Sequence, residues 1–282
     1  MQSRSLPYLL LLPATLFLLC FFLYPFVLVA WQAFATEEGE LTSKYFTKMV
    51  SHWKFEKALY YTLVLALVVV PVQLVLSLLM ATLISGMRKG RDLILYIWTI
   101  PLGISDLAAG IIWLAIFDQT GFLNSFLHTT GMVDEPVAFL GYQSKGTIFI
   151  AVALAEIWRA TAIMLVILVA GIGLIPKEYY EAAQVYGANG WQRFTKITLP
   201  LLKPSLQTAL ILRVILAFEV FAVVSALGGT NLPVLMGEVY NRQFVLQDNH
   251  TAAAFAMLIL FISIVSTVFF MWALRTPRGV KA

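Results

Sequence analysis

The chain has 282 residues, 60% hydrophobic and 12% charged, with a mean hydropathy of +0.85 and a net charge of +4. A soluble domain carries roughly 25% charged residues, so this composition excludes a single globular core in water and points to lipid as the solvent. Cys20 is the one cysteine, which excludes an intramolecular disulfide.

Long apolar runs predict an all-α membrane protein. They place six transmembrane helices at about 8–34, 58–85, 93–117, 146–172, 204–226 and 251–274, each longer than the roughly 20 residues needed to cross the hydrocarbon. Continuous apolarity separates these runs from barrel strands, which alternate and are about half as long. The first run has Arg4 ahead of it and Ala33-Phe34-Ala35 behind it, a pattern also seen in signal peptides. It exceeds the roughly 7–15 residues of a signal core and is read as a retained helix. The whole chain, 1–282, reads as one transmembrane domain.

Orientation follows from Lys and Arg. With both termini in the cytoplasm, the inner segments hold Arg4, Arg88, Lys89, Arg91, Lys177, Arg193, Lys196, Lys203, Arg275, Arg278 and Lys281. The outer segments hold Lys44, Lys48, Lys54, Lys57, Lys145 and Arg242. The excess inside matches the positive-inside rule, so the basic charge records topology and not nucleic-acid binding. His52, His128 and His250 all fall in outer regions and read as solvated. No His/Cys cluster or H-E-x-x-H is present for a metal, and no G-x-x-x-x-G-K-[ST] for a nucleotide. The chain therefore reads as a non-enzyme without a cofactor of its own.

Ionisable residues inside membrane spans are costly and face a bundle interior. Asp106, Glu156, Arg159, Arg213 and Glu219 all lie within about 4 residues of a span centre, hence within roughly 6 Å of the midplane. Glu156 and Arg159 are spaced to pair along one helix, whereas Arg213 and Glu219 lie on different faces and each needs a partner elsewhere. Pro101 and Gly103 are positioned to kink the third span just before Asp106.

Between the fourth and fifth spans runs a mixed-polarity stretch, "IPKEYYEAAQVYGANGWQRFTKITLPLLKP", residues 175–204. Pro176 suits a helix start and Glu178 falls in its first turn. Tyr179, Ala183 and Tyr186 share one face, and Glu178, Glu181 and Gln184 lie largely on another. Gly187 suits a left-handed C-cap, Asn189-Gly190 is a second turn, and Trp191 to Thr198 forms a second short helix. Pro200 and Pro204 close it and open the fifth span. The physical chemistry fits a helix lying on lipid headgroups as well as one docking a partner protein.

"EAAQVYGANGWQRFTKITLP" resembles the EAA loop of ABC importer membrane subunits, with Glu181, Ala182, Ala183, Gly187, Ile197, Leu199 and Pro200 at the motif's spacing. "IWRATAIMLVILVAGIGLIPKEYYEAA", "PLGIS" from Pro101 and "GFLN" from Gly121 resemble the sugar-permease branch, of the maltose, trehalose and glycerol-phosphate type. Tyr186 departs from the Asp often found before the glycine, and Tyr61 from an Asn often found before Thr62. The resemblance implies a type I importer fold in which residues 175–203 form a coupling loop, seated through Glu181, Ala182, Ala183, Tyr186, Gly187, Ile197, Leu199 and Pro200 on a separate ATPase. It implies a second permease subunit, two ATPase subunits that bind ATP and Mg, an extracytoplasmic binding protein, and a bacterial or archaeal plasma membrane. It also implies a carbohydrate pathway at Arg159, Ala160, Ile163, Arg213, Leu216, Ala217 and Val220, with Asp106, Glu156 and Glu219 as weaker candidates. Trp158 or Phe218 could wall a sugar face, or simply pack between helices. An organic phosphate such as glycerol phosphate is the alternative cargo. An ATP-independent secondary transporter, using the buried carboxylates for protons, is the alternative mechanism.

Overall fold

The computed structural model describes residues 6–275; Arg4, Arg278 and Lys281, used above for topology, lie outside the described residues. The described residues are almost wholly helical. Helix α1 (Leu6–Leu18) runs through a π-helical turn at Leu19–Leu23 into α2 (Tyr24–Phe34), and a short α3 (Lys44–Val50) leads to α4 (Phe55–Gly86). Then come α5 (Arg91–Thr99), α6 (Asp106–Phe117), α7 (Phe122–Thr129) and the long α8 (Lys145–Gly173). The polar stretch forms α9 (Lys177–Val185), α10 (Gly190–Arg193) and α11 (Leu199–Leu201). The chain ends with α12 (Lys203–Phe218), α13 (Ala222–Gly228), α14 (Leu235–Tyr240) and α15 (Asn249–Ala273).

Helix α8 is the axis of the bundle. It packs on α4, α12, α13 and α6. Small residues make these close approaches feasible: Ala58, Ala66 and Ala81 on α4, Ala151, Ala155 and Ala162 on α8, and Ala209 and Ala217 on α12 are all buried. Lipid tails are as apolar as leucine, so van der Waals fit between small residues replaces the hydrophobic drive between such helices. Gly110 of α6 lies so close to α13 that a Cβ there would sit 2.7 Å from that of Ala226. The α1–α2 span is the opposite case. Ala33 is the one buried residue of α2, and the span leans on the rest of the chain through the packing of α2 on α15 and α3.

Two of the expected spans are broken. The run 93–117 is not one helix: after α5 the chain forms a 3-10 turn at Ile100–Gly103 and passes through extended Ile104 and Ser105 before α6 begins. Pro101 cannot continue the backbone ladder, and the Ser105 hydroxyl caps the new helix by accepting from the Ala108 N–H at 3.2 Å. Asp106 thereby moves from mid-helix to a first turn. The run 204–226 also divides, because α12 ends at Phe218 and α13 begins at Ala222. At 16 residues α12 rises about 24 Å, short of the roughly 30 Å of the hydrocarbon. Its register with the polar stretch is a bend of 68° between Gly190–Leu201 and Lys203–Phe218. Length and apolarity alone give five spans, or six with that bent pair counted.

The end of the bundle at which α4, α8 and α15 begin is fastened by polar side chains. Asp248 accepts from Lys48 Nζ at 2.7 Å and from Arg242 at 3.3 Å, and caps α15 through the Thr251 N–H. His52 lies 4.0 Å from the buried Glu238, and His250 stacks on Tyr45 at 4.5 Å while its Nδ1 meets the Gln32 carbonyl at 2.8 Å. Of the histidines expected to be solvated only His128 is exposed; the other two are half-buried against aromatic and polar neighbours.

Burial pushes the Asp248 carboxyl up, but the hydrogen bonds from Lys48 and Thr251 outweigh it and hold the pKa below the usual value. A depressed acid stabilises the fold above its unfolded pKa, and that contribution is lost as pH falls through the folded value. Thermal unfolding in mild detergent should therefore show wild type losing stability below the ordinary carboxylate range more steeply than Asp248→Asn. Parallel curves would mean the clasp does not titrate.

Candidate functional site

Four ionised side chains and one amide form a chain through the bundle. The Arg213 side chain, on α12, is 1% exposed. Its Nε donates to Gln73 Oε1 of α4 at 2.6 Å, and its Nη2 donates to Glu156 Oε2 of α8 at 2.8 Å. The amide nitrogen of Gln73 in turn donates to the Glu156 backbone carbonyl at 2.7 Å. Glu156 reaches on to Arg159, at 3.6 Å along the same helix, and Arg159 pairs with Asp106 of α6 at 2.8 Å. Exposure rises along the series: Glu156 is fully buried, the Arg159 side chain is 13% exposed and that of Asp106 49%. A buried pole at Arg213 thus connects to an open rim at Asp106.

The four charges cancel, two of each sign. Satisfaction is incomplete, however. Arg213 Nη1, Arg159 Nε and Glu156 Oε1 are shielded from solvent without a hydrogen-bond partner. Unpaired polar groups in a low-dielectric interior cost more than those in water, so these atoms carry an unmet demand for hydrogen bonds.

The sequence-expected pathway residues separate into layers. Ala160, Arg213, Ala217 and Val220 are buried, while Arg159, Ile163 and Leu216 are half-buried. Ala217 and Phe218 belong to the apolar core that joins α4, α8 and α12, and Trp158 packs edge-on against Trp113 at 6.2 Å. Glu219 is not brought to the network. It caps the end of α12 and lines a groove of about 390 Å³ with Ile215, Ser263 and Thr267. Gln73 was not singled out in the sequence, although a lone amide inside an apolar run is the expected mark of a bundle-facing position.

The polar stretch is the second element. Helix α9 ends at Val185, and Tyr186 follows as its C-cap at φ −80°. Its N–H still donates to the Ala182 carbonyl at 3.1 Å, so Tyr186 closes the last turn of the helix. Gly187 then turns left-handed at φ +77°, where a side chain would cost roughly 1–2 kcal/mol. A capping box starts α10, with the Asn189 side chain on the Gln192 N–H and the Gln192 side chain on the Asn189 N–H.

The two arms are tied together. The hydroxyls of Tyr180 and Thr198 lie 3.0 Å apart, eighteen residues apart in the chain. At the base of the loop Gly171 of α8 packs against Ser205 and Leu202, leaving no room for a Cβ. Glu181, Ala182, Gly187 and Pro200 are exposed, and Ala183, Ile197 and Leu199 half-buried. At the tip, Val185 is 86% and Tyr186 90% exposed. Val185 had no part in the sequence reading; its signal is an apolar residue that the helix cannot fold under.

Residues 73–280 match the family described as binding-protein-dependent transport system inner membrane component. The chain belongs to this family. The inner membrane component described here is 31% identical over 283 residues to a probable ABC transporter permease protein of Brucella suis, covering 96% of each. It is 30% identical over 254 residues to a trehalose/maltose transport system permease protein of Thermococcus litoralis, covering 85% of each. Its fold matches a chain of a bacterial alginate ABC transporter, crystallised with a periplasmic protein bound to an alginate pentasaccharide, at a TM-score of 0.85. That match covers 99% of this chain and 98% of the other at 22% identity, and so concerns the fold.

Glu156→Ala should destabilise this inner membrane component by about 3–5 kcal/mol, because it leaves the Arg213 charge buried and unpaired. A Glu156→Met/Arg213→Met double variant should unfold closer to wild type than either Glu156→Met or Arg213→Met alone. Thermal unfolding in detergent distinguishes the cases; simple addition of the two single effects would mean the pair does not clamp the helices.

Proposed function

We propose that this chain is one permease subunit of an ATP-driven importer for a carbohydrate of the trehalose/maltose class. It pairs with a second permease chain and two ATPase subunits, and an extracytoplasmic binding protein delivers the cargo. ATP and Mg are bound by the ATPase partners. The loop end of the bundle faces the cytoplasm, consistent with its lysines and arginines.

The observation that carries the coupling role is the exposure of Val185 and Tyr186 on a stiffened loop tip. Apolar side chains held out at such a tip mark an interaction site. The Tyr180–Thr198 contact and the close approach of Gly171 to Ser205 make the loop and the inner ends of α8 and α12 one body. A push on the tip moves both helices together, and with them Glu156, Arg159 and Arg213. Helix motion then redistributes these charges among their partners and opens one side of the path while closing the other.

The cargo class rests on the charge balance of the network. A neutral set of donors and acceptors suits hydroxyls, each of which donates and accepts, and the unpartnered atoms of Arg213, Arg159 and Glu156 fit that chemistry. A phosphate would have to displace a carboxylate from its arginine. An organic phosphate is nonetheless the second cargo reading, favoured by the position of Arg159 near the open rim.

Gentle purification from the native membrane followed by mass spectrometry tests the assembly: a Walker A-bearing ATPase and a second EAA-loop chain should accompany this subunit. A homo-oligomer without an ATPase would overturn the proposal. In the reconstituted importer, Val185→Asp and Gly187→Arg should leave the subunit folded and reduce import at least tenfold, with weaker retention of the ATPase. Normal import by both would refute docking at the tip. Competition between trehalose and glycerol 3-phosphate for uptake separates the two cargo classes.

A further inference from the structure

The loop end of the bundle also contains a cleft that the transport reading does not use. It lies between the end of α4, the start of α5, the end of α8 and the inner side of the polar stretch, and has a volume of about 650 Å³. Arg91, Lys177 and Arg193 all line it, from three separate elements, together with Tyr180 and Gln184, and no acidic residue does. Among the described residues none of the three cations forms an ion pair.

Two further polar atoms are closed off there without partners. Ser85 Oγ and Arg193 Nε have essentially no solvent exposure and make no hydrogen bond. A positive-inside surface accounts for cations near the membrane, but not for cations from separate elements converging on one concavity that also holds an orphaned hydroxyl and an orphaned guanidinium N–H. Like charges gathered around one cleft repel each other and focus a positive potential in it. An anion with several acceptor oxygens relieves both the repulsion and the missing hydrogen bonds, and a guanidinium matches the oxygens of phosphate in pairs.

We infer that this cleft is a binding site for a phosphate-bearing anion, presented by a lipid headgroup or by free phosphate. The site joins Arg91 at the start of α5 to Lys177 and Arg193 on the two arms of the polar stretch. Its occupant would therefore stiffen the loop against the membrane end of α4. Nothing in this inference requires a particular cargo, and it stands or falls separately from the import reading.

The test uses the purified subunit with whatever partners it retains, in nanodiscs. In phosphatidylcholine discs, inorganic phosphate is titrated against chloride at matched ionic strength and followed by the part of the tryptophan fluorescence that is lost in Trp191→Phe, a position next to the cleft-lining Gly190. In mixed discs, retention of phosphatidylglycerol over phosphatidylcholine is read by native mass spectrometry. Binding in either arm should weaken about tenfold for each charge-assisted contact removed in Arg91→Gln, Lys177→Gln and Arg193→Gln. It should also weaken in wild type as salt is raised, a measurement that needs no variant to fold. A response to inorganic phosphate identifies a soluble source; selective lipid retention alone identifies a headgroup. Absence of both, or binding that neither the substitutions nor salt reduces, overturns the proposal.

Discussion

A guanidinium cannot be left alone inside a membrane bundle, and Arg213 is buried almost completely. Arginine does not shed its charge in a protein, so the helices around it must bring acceptors. Gln73 and Glu156 do so, and in doing so they set how α4, α8 and α12 meet. The small-residue packing between these helices then has a fixed register to fill. Glu156 passes the constraint onward, since it also faces Arg159, and Arg159 fixes Asp106 at the start of α6. One costly residue thus organises four helices, and the cost is recovered through pairing and not through burial of apolar area.

The same series of contacts runs from an interior that excludes water to a rim that admits it. The Glu156 carboxylate that ties α8 to α12 also faces Arg159, so a movement of either helix must exchange one set of partners for another. Close packing at Gly171 and the bond between Tyr180 and Thr198 join the loop to the adjoining ends of α8 and α12.

Much of this was legible in the sequence, for identifiable reasons. Hydropathy found the long helices because lipid imposes one requirement on every residue of a span. Turn chemistry found Gly187 and the Asn189-Gly190 start, since left-handed backbone and capping depend on few neighbours. The resemblance of the loop placed Glu181 to Pro200 in the family that residues 73–280 match. Pro101 and Gly103 marked a kink in the third run, but that the helix stops and restarts there, and that another break follows Phe218, was hidden by apolar residues on both sides. The partner of Arg213 was not legible either: Gln73 lies 140 residues away, and contact at that separation leaves no local trace.

The span formed by α1 and α2 buries almost nothing within the subunit. In water such a helix would demand a partner urgently. In a bilayer it does not, because acyl chains solvate it as well as another helix would. A newly inserted copy of the chain can therefore persist with this span unmatched, and its joining to other chains has to be decided by shape and by the few polar groups at the contact. Assembly on these terms is selective before it is tight, since an ill-fitting neighbour has no greater claim on the helix than the surrounding lipid.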